Sequence, residues 1–307
     1  MTVFIATSVV RGSRQGESHG GVYLVDFARK RVRQALDWNR SDIDWSGRGW
    51  DRGLRGIAFD GERVYIAASD ELFAFDPDFR PLGSWRNPYL RHCHEIHVHR
   101  RRLYLSSTGF DSVLGFDLDA PGFCWGLRVA FDGIDYHGTP FDPAGERGPA
   151  PSNELHLNNV FADGEGLWLG GLHVCGLLRF DGRRVEKRLA LPAGVHNARP
   201  FEGGVLFNDT ASDRLCCITP ARKISFPVPE PDPGRLVNVG LDDSRVARPR
   251  FARGLCVLDG ERVAGGSSPS TITVYDLARG KSVGSATLSH DVRNAIHGLE
   301  VWPFAVR

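Results

Sequence analysis

Short runs of alternating apolar and polar residues recur along the whole chain, each bounded by glycine, aspartate, proline or serine. Residues 55–69 align without gaps on residues 94–108, and the same frame fits residues 158–170 and 196–207. A further copy begins at residues 258–263. Alternation with a period of two predicts short antiparallel strands, and the recurring frame predicts several copies of one four-stranded unit.

The two ends of the chain each carry half of one more unit. Residues 3–8 match the second strand of the frame without a first strand before them, and residues 297–301 match a first strand without a second. Six units of about 50 residues predict an all-β, six-bladed β-propeller of four antiparallel strands per blade, in which a C-terminal strand completes the N-terminal blade. We expect residues 1–307 to form this single domain. The stretches 131–153 and 228–249 are too polar and proline-rich for a seventh blade and are expected to be loops.

Composition narrows the range of partners. The chain is 41% hydrophobic and 24% charged, and 38 Lys and Arg against 37 Asp and Glu leave a formal charge of +1, which predicts neither a nucleic-acid nor a membrane partner. The apolar run at the N-terminus is too short to span a membrane and has no basic residue before it, so we expect a cytoplasmic protein. Six cysteines without metal-ribbon spacing should stay reduced there.

Three histidines mark the heads of predicted first strands. His94, His196 and His297 follow one another at nearly equal intervals of about 100 residues. The head of each innermost strand points toward the central channel of a propeller, so the three rings should converge from alternate blades. Neutral imidazole is a common ligand of divalent transition metals, and three histidines leave coordination positions open, as in catalytic sites. The sequence therefore predicts a metal site, with zinc first and iron, manganese or copper as alternatives.

The remaining heads supply further candidates for catalysis. They are Arg55, Asn158 and Gly254. Arg55 is a fixed cation at channel level that could bind a carboxylate or stabilise a developing oxyanion. Asn158 should lie between two of the histidines. His156 precedes Asn158 by two residues and is a further candidate for the rim of the channel.

The long connections should crowd the mouth of the channel where the strand heads lie. They are rich in arginine and aromatic residues, which suit a small, polar or anionic substrate with an apolar part. These residues are Arg11, Arg14, Arg40, Arg48, Arg52, Arg91, Trp45, Trp50, Tyr89, Phe131 and Tyr136.

The pattern histidine-x-apolar-x-apolar in residues 297–301, repeated at His94 and His196, resembles the six-bladed NHL-type propellers. Among these it is most similar to the peptidyl-hydroxyglycine amidating lyases. The resemblance implies a zinc ion held by the three head histidines, with the help of an arginine and a tyrosine. Arg55 would match the arginine, whereas Tyr136 and Tyr89 are candidates for the tyrosine from their loop positions alone. Those enzymes are disulfide-containing proteins of the secretory pathway, so their substrate does not carry over to this chain.

Three kinds of function stay open on these grounds. The first is a metal-dependent lyase or hydrolase, in which the ion polarises a substrate oxygen or lowers the pKa of bound water. The second is an oxygen-using enzyme with histidine-ligated iron or copper. The third is a non-catalytic propeller that binds a peptide or protein, in which the histidines fill a polar channel.

Overall fold

The computed structural model describes residues 2–39, 53–240 and 248–305. Within these ranges the chain forms 25 β-strands in six antiparallel sheets, together with a short 3₁₀ helix at Pro233–Arg235. None of the helices in this part of the chain is long and apolar enough to cross a membrane. The six sheets confirm the predicted six-bladed propeller.

The blades follow one another along the chain, and the first is built from both ends. Blade 1 consists of β25 (Asn294–Val301), β1 (Val3–Val10), β2 (Gly20–Asp26) and β3 (Arg31–Asp37). Blade 2 consists of β4 (Ile57–Asp60), β5 (Arg63–Ala67), β6 (Glu71–Phe75) and β7 (Pro81–Arg86). Blade 3 consists of β8 (Ile96–His99), β9 (Arg102–Ser107), β10 (Ser112–Asp117), β11 (Gly122–Phe131) and β12 (Tyr136–Phe141).

The second half of the ring repeats the same order. Blade 4 consists of β13 (Leu157–Asp163), β14 (Gly166–Gly171), β15 (Gly176–Phe180) and β16 (Val185–Ala190). Blade 5 consists of β17 (Val195–Phe201), β18 (Gly204–Asp209), β19 (Arg214–Ile218) and β20 (Lys223–Pro227). Blade 6 consists of β21 (Leu255–Val257), β22 (Arg262–Ser267), β23 (Thr271–Asp276) and β24 (Lys281–Thr287).

An aspartate at the end of the third strand, or directly after it, explains one part of the sequence repeat. The Asp117 carboxylate accepts hydrogen bonds from the backbone N–H groups of Asp119 and Ala120, at 2.8 and 2.9 Å. The Asp181 carboxylate accepts those of Arg183 and Arg184, both at 2.9 Å. Such a side chain satisfies the backbone of a tight turn, so the aspartate directs the chain into the outermost strand.

Six buried apolar clusters fill the spaces between neighbouring blades. Each combines side chains of two adjacent blades, for example Leu24 with Phe73, Leu72 with Leu105, Leu127 with Leu169, Leu177 with Phe207, Leu215 with Val263, and Ala264 with Phe4. Full burial of one such large side chain contributes about 1.5–3 kcal/mol. The apolar positions of the alternating pattern therefore hold the blades to each other around the ring.

Pairing of the two chain ends closes the ring as the sequence predicted. Phe4 pairs with Val301 and Ser8 pairs with Ile296 in the antiparallel ladder between β1 and β25. Just beyond β25, the backbone N–H of Trp302 donates to the Val3 carbonyl at 2.8 Å.

The stretch expected to be a loop at 131–153 contains a strand. Residues Tyr136–Phe141 form β12, a fifth and outermost strand of blade 3, and Phe131 pairs with Tyr136 at its start. The loop prediction was wrong for these residues because β12 is the edge strand of its sheet. It pairs with β11 on one side and faces water on the other. Such a strand needs no alternation of apolar and polar residues, which was the pattern used to find strands.

Replacing Trp302 should weaken the closed ring. Its indole is 6% exposed and stacks on Phe79 with ring centroids 5.5 Å apart, which joins blade 1 to blade 2. The Trp302→Ala change should lower the free energy of unfolding by about 3–5 kcal/mol, as measured by urea denaturation. The exposed control Val283→Ala should change it by less than about 0.5 kcal/mol. Equal stability of the two variants would contradict a closing role for Trp302.

Candidate channel site

The heads of the innermost strands bring the predicted site residues together. His94, His196 and His297 are only 5%, 3% and 4% exposed, and Arg55 and Asn158 are 0% and 1% exposed. The ring centroids of His94 and His297 lie 6.4 Å apart, although the two residues belong to different blades. Two of the three evenly spaced histidines, His94 and His297, therefore lie close together in space.

β-bulges at the strand heads position several of these groups. The ladder between β17 and β18 shifts register between His196 and Arg199, and the ladder between β13 and β14 shifts around Asn158. In blade 1 the shift falls opposite Ala6 and Ser8, where His297 and Gly298 together face Thr7. A bulge redirects the side chains beside it, so these irregularities change where the head residues point.

Glycine is required directly after His297. A Cβ atom on Gly298 would lie 2.3 Å from the Arg55 carbonyl oxygen and 2.7 Å from Thr7 Oγ1. The Gly298 N–H donates to Thr7 Oγ1 at 2.8 Å, and that hydroxyl in turn donates to the Arg55 carbonyl. The His-Gly pair in the sequence thus allows the backbones of blades 1 and 2 to approach closely at the level of the site.

Hydrogen bonds determine which ring nitrogen of His94 and His196 carries the proton. The Thr108 hydroxyl donates to the Leu157 carbonyl, and the Thr210 hydroxyl donates to the Ala252 carbonyl. Each hydroxyl has a single proton, so Thr108 accepts from His94 Nδ1 at 3.0 Å and Thr210 accepts from His196 Nδ1 at 2.9 Å. The Nε2 atoms of both rings therefore carry lone pairs. Both atoms are buried and have no hydrogen-bond partner among the residues that the structure describes.

His297 is held in the same tautomer by a different set of contacts. Its Nδ1 lies 3.3 Å from the Ala295 carbonyl oxygen, and its Nε2 lies 2.5 Å from Arg253 Nη1. A guanidinium can only donate, so His297 Nε2 is the acceptor in that contact. All three histidines thus present an Nε2 lone pair and keep the proton on Nδ1.

Burial keeps the three imidazoles neutral. Loss of solvation lowers the pKa of His94, His196 and His297 well below the ordinary value, and neighbouring guanidinium groups lower it further. Neutral imidazole is the form that binds a metal or accepts a hydrogen bond. At pH 7 the three rings are therefore all in that form.

Arg253 is the main component of the site that the sequence analysis missed. It directly precedes Gly254, the predicted head of blade 6, and it is 6% exposed. Gly254 itself adopts a left-handed conformation with φ at +79°, and Arg253 reaches the histidines in its place. The sequence contained one signal for this arrangement. The predicted head, Gly254, has no side chain, so the long side chain of the preceding arginine can occupy the space.

A cluster of cations surrounds the site. Arg11 and Arg253 both lie against the ring of Phe251, with the guanidinium carbon 4.9 and 4.8 Å from the ring centroid. Arg55 donates from Nη1 to the Cys93 carbonyl at 3.0 Å and is fully buried. Burial lowers the pKa of Arg253, with Arg11 and Arg55 adding to the effect, yet a guanidinium stays charged at pH 7.

Asn158 and His156 also lie beside the histidines. The Asn158 amide donates to the Val195 carbonyl at 3.1 Å, and its Oδ1 is buried without a partner. The His156 ring is 5.7 Å from that of His94, and burial lowers the pKa of His156 to about 3. His156 therefore lies beside His94, and Asn158 reaches the backbone of the residue that precedes His196.

The two candidate tyrosines lie elsewhere. Tyr136 begins the outermost strand of blade 3, and its hydroxyl donates to the Val174 carbonyl at 2.6 Å. The Tyr89 hydroxyl contacts the Gly145 carbonyl at 3.4 Å. Neither residue contacts the three histidines in the described part of the chain. Five members of the predicted loop set lie outside the described residues: Arg40, Trp45, Arg48, Trp50 and Arg52.

A second group of polar residues lies along the innermost strands, next to the head residues. A cavity of about 30 Å³ there is lined by residues of all six innermost strands and has room for about one or two water molecules. The Asn197 amide donates to the Glu95 carboxyl, and Arg199 Nη1 lies 4.0 Å from Glu300. Desolvation raises the pKa of Glu95 and Glu300 to about 7, although Glu300 keeps 34% of its side-chain surface accessible.

The described residues do not form a closed metal-binding cluster. In residues 2–39, 53–240 and 248–305, no three His, Cys, Asp or Glu side chains are gathered closely enough to hold a metal ion together. At His297 the physical reason is visible, because the Arg253 guanidinium lies against the Nε2 lone pair.

Replacing His97 should reduce the sensitivity of the fold to acid. Its Nδ1 accepts the Ala162 N–H at 3.2 Å, and burial is the main cause that lowers its pKa to about 4. Between pH 6.5 and 4 the unfolded chain binds a proton here that the folded chain does not, so stability falls as the pH falls through this window. The loss is up to about 3 kcal/mol.

The His97→Asn variant keeps an acceptor for Ala162 but cannot titrate. Urea unfolding at pH 7 and pH 4.5 should therefore show a smaller loss of stability for this variant than for the wild type. The control His137→Asn removes an exposed histidine from blade 3 and should behave much more like the wild type. An unchanged acid sensitivity in His97→Asn would refute the assignment.

Comparisons with known proteins agree with the architecture. No family model and no curated protein matches the sequence. A chain in the crystal structure of a nidogen/laminin complex aligns over 97% of this chain and 98% of its own length, with a TM-score of 0.58 and 12% identity. A protein of unknown function from Bacteroides caccae aligns over 99% and 100%, with a TM-score of 0.59 and 9% identity. Similarity at this level of identity supports the propeller fold alone.

Proposed function

We propose that this chain is a metal-dependent enzyme, a lyase or hydrolase that acts on a small polar or anionic molecule in the propeller channel. His94, His196 and His297 would hold a divalent transition metal, with zinc as the first choice. Arg55, Arg253 and Asn158 would face the substrate.

The buried Nε2 atoms of His94 and His196 carry this proposal. Each has a lone pair, lies away from water and has no hydrogen-bond partner in the part of the chain that the structure describes. Leaving a buried acceptor unsatisfied costs about 1–3 kcal/mol, so each of these atoms favours a ligand. The threonine hydroxyls behind Nδ1 provide the outer hydrogen bonds that typically orient metal-binding histidines.

The surrounding residues indicate what the site would do with a substrate. A bound divalent metal would supply Lewis acidity and a water molecule of lowered pKa. Arg55 is held in place by the Cys93 carbonyl, so its charge can stabilise an oxyanion without first having to be positioned. Metal binding at His297 requires that Arg253 leave Nε2, which would free its guanidinium for an acidic group of the substrate.

The resemblance to the peptidyl-hydroxyglycine amidating lyases adds support from the sequence. The three histidines that the resemblance assigns to zinc are the three that lie buried at the strand heads. The tyrosine of those enzymes has no counterpart at Tyr136 or Tyr89 among the contacts of this site. All six cysteines are free thiols, which also differs from those disulfide-containing proteins.

Metal analysis tests the proposal directly. Protein purified without a histidine tag and without chelator should contain about one equivalent of metal per chain, as measured by elemental analysis. Zinc would favour lyase or hydrolase chemistry, and iron or copper would favour the oxygen-using alternative. The His94→Ala and His196→Ala variants should lose the metal, whereas the exposed control His137→Ala should retain it. A metal-free protein that also fails to take up zinc, iron, manganese or copper would overturn the proposal.

A second prediction concerns the hydroxyl behind His196. The Thr210→Val change keeps the shape of the side chain but removes the acceptor of His196 Nδ1, so the ring loses its orientation. Metal affinity measured by competition with a chelator should fall about 10–100-fold. The control Thr273→Val removes a buried hydroxyl that contacts Ser285 in blade 6 and should leave the affinity unchanged. Equal affinities in the two variants would argue against a positioning role for Thr210.

A further inference from the structure

We propose that Arg253 binds a small oxyanion, a carboxylate or a phosphate, in the channel of this propeller. The site lies beside the same histidines as the proposed enzyme site but does not depend on the metal. The proposal rests on the burial of the Arg253 guanidinium and on the groups that it contacts.

Arg253 is a buried cation that has no carboxylate partner among the described residues. It is 6% exposed, and its polar contact through the guanidinium is with His297 Nε2, a neutral acceptor. Its Nε atom is buried and has no hydrogen-bond partner within residues 2–39, 53–240 and 248–305. A buried charge that lacks a counterion is costly, and the cost is recovered when an anion binds.

The charge lies beside the head histidines. The Arg253 Nη1 atom contacts His297 Nε2. The Arg253 charge also contributes to the lowered pKa of His94, His156 and His196, so it acts on rings of four different blades together with His297. An anion bound to Arg253 would therefore lie next to the residues of the proposed reacting centre.

Arg248 lies against the same aromatic ring as Arg253 but has a carboxylate partner. Its guanidinium carbon lies 5.2 Å from the Phe251 centroid, close to the 4.8 Å of Arg253. Arg248, however, forms an ion pair with Asp213 and donates to the Thr210 carbonyl at 2.6 Å. The two arginines thus share an aromatic surface and differ in their counterions.

The chemistry of the guanidinium defines the ligand class. Its planar fork of N–H donors matches the oxygens of a carboxylate or a phosphate. The guanidinium carbon lies 4.8 Å from the Phe251 ring centroid, a cation–π contact that helps to hold the guanidinium in place. The nearby charges of Arg11 and Arg55 further favour an anion, because both guanidiniums act electrostatically on Arg253.

Anion binding can be measured on chelator-treated protein, so the result does not depend on whether a metal binds. Acetate and phosphate are titrated separately by calorimetry and thermal unfolding, against chloride at equal ionic strength. We expect at least one of them to raise the melting temperature above the chloride value. The Arg253→Met variant should bind it about tenfold more weakly or worse. Preference for acetate would indicate an organic acid as ligand, and preference for phosphate a phosphorylated molecule.

Two comparisons distinguish binding from a structural role. Arg253→Met in chloride should be at least as stable as the wild type, because it removes an uncompensated buried charge. The matched control Arg248→Met removes an ion-paired guanidinium from the same ring and should leave anion affinity unchanged. The proposal is overturned if neither anion stabilises the wild type beyond chloride, or if Arg253→Met retains the wild-type affinity. If protein purified without chelator holds no metal and takes none up, while chelator-treated protein binds the anion, the proposed enzyme is refuted and this site stands.

Discussion

The hydrogen-bonded ladder between β1 and β25 determines the rest of this structure, because it converts an open row of blades into a ring. Thr7 and Gly298, which are 291 positions apart in the sequence, contact each other in it. Without this pairing the first and last blades would expose unpaired strand edges and an apolar face. Contacts between such distant residues form slowly, so we expect the complete channel to assemble late in folding.

Closure also creates an unusual electrostatic environment on the axis. Three imidazoles are kept neutral by burial, while the guanidinium groups of Arg11, Arg55 and Arg253 remain charged beside them. The result is a positively charged cluster that also presents neutral hydrogen-bond acceptors. The carboxyl groups of Glu95 and Glu300 are separated from it by one step along the first strands, where Asn197 and Arg199 bind them.

The sequence was sufficient to predict the blades, the closing strand and the approach of His94 to His297 from different blades. The convergence of all three histidines on one metal stays a prediction. These features follow from a period-two pattern that each blade repeats, so every copy supports the others. Arg253 was missed because a long side chain reaches the axis from outside the repeated position. Strand β12 was missed because an outer strand needs no apolar alternation. Bulges such as that beside His196 leave no periodic signal, and they partly determine where the side chains point.

The threonine hydroxyls behind His94 and His196 have one more consequence. Each accepts from its own histidine and donates to a carbonyl of the next blade, so the direction of the ring depends on the angle between two blades. A small rotation of one blade against its neighbour would turn the imidazole with it. The stiffness of the apolar contacts between blades, far from the axis, therefore sets how accurately the ring nitrogens are aimed.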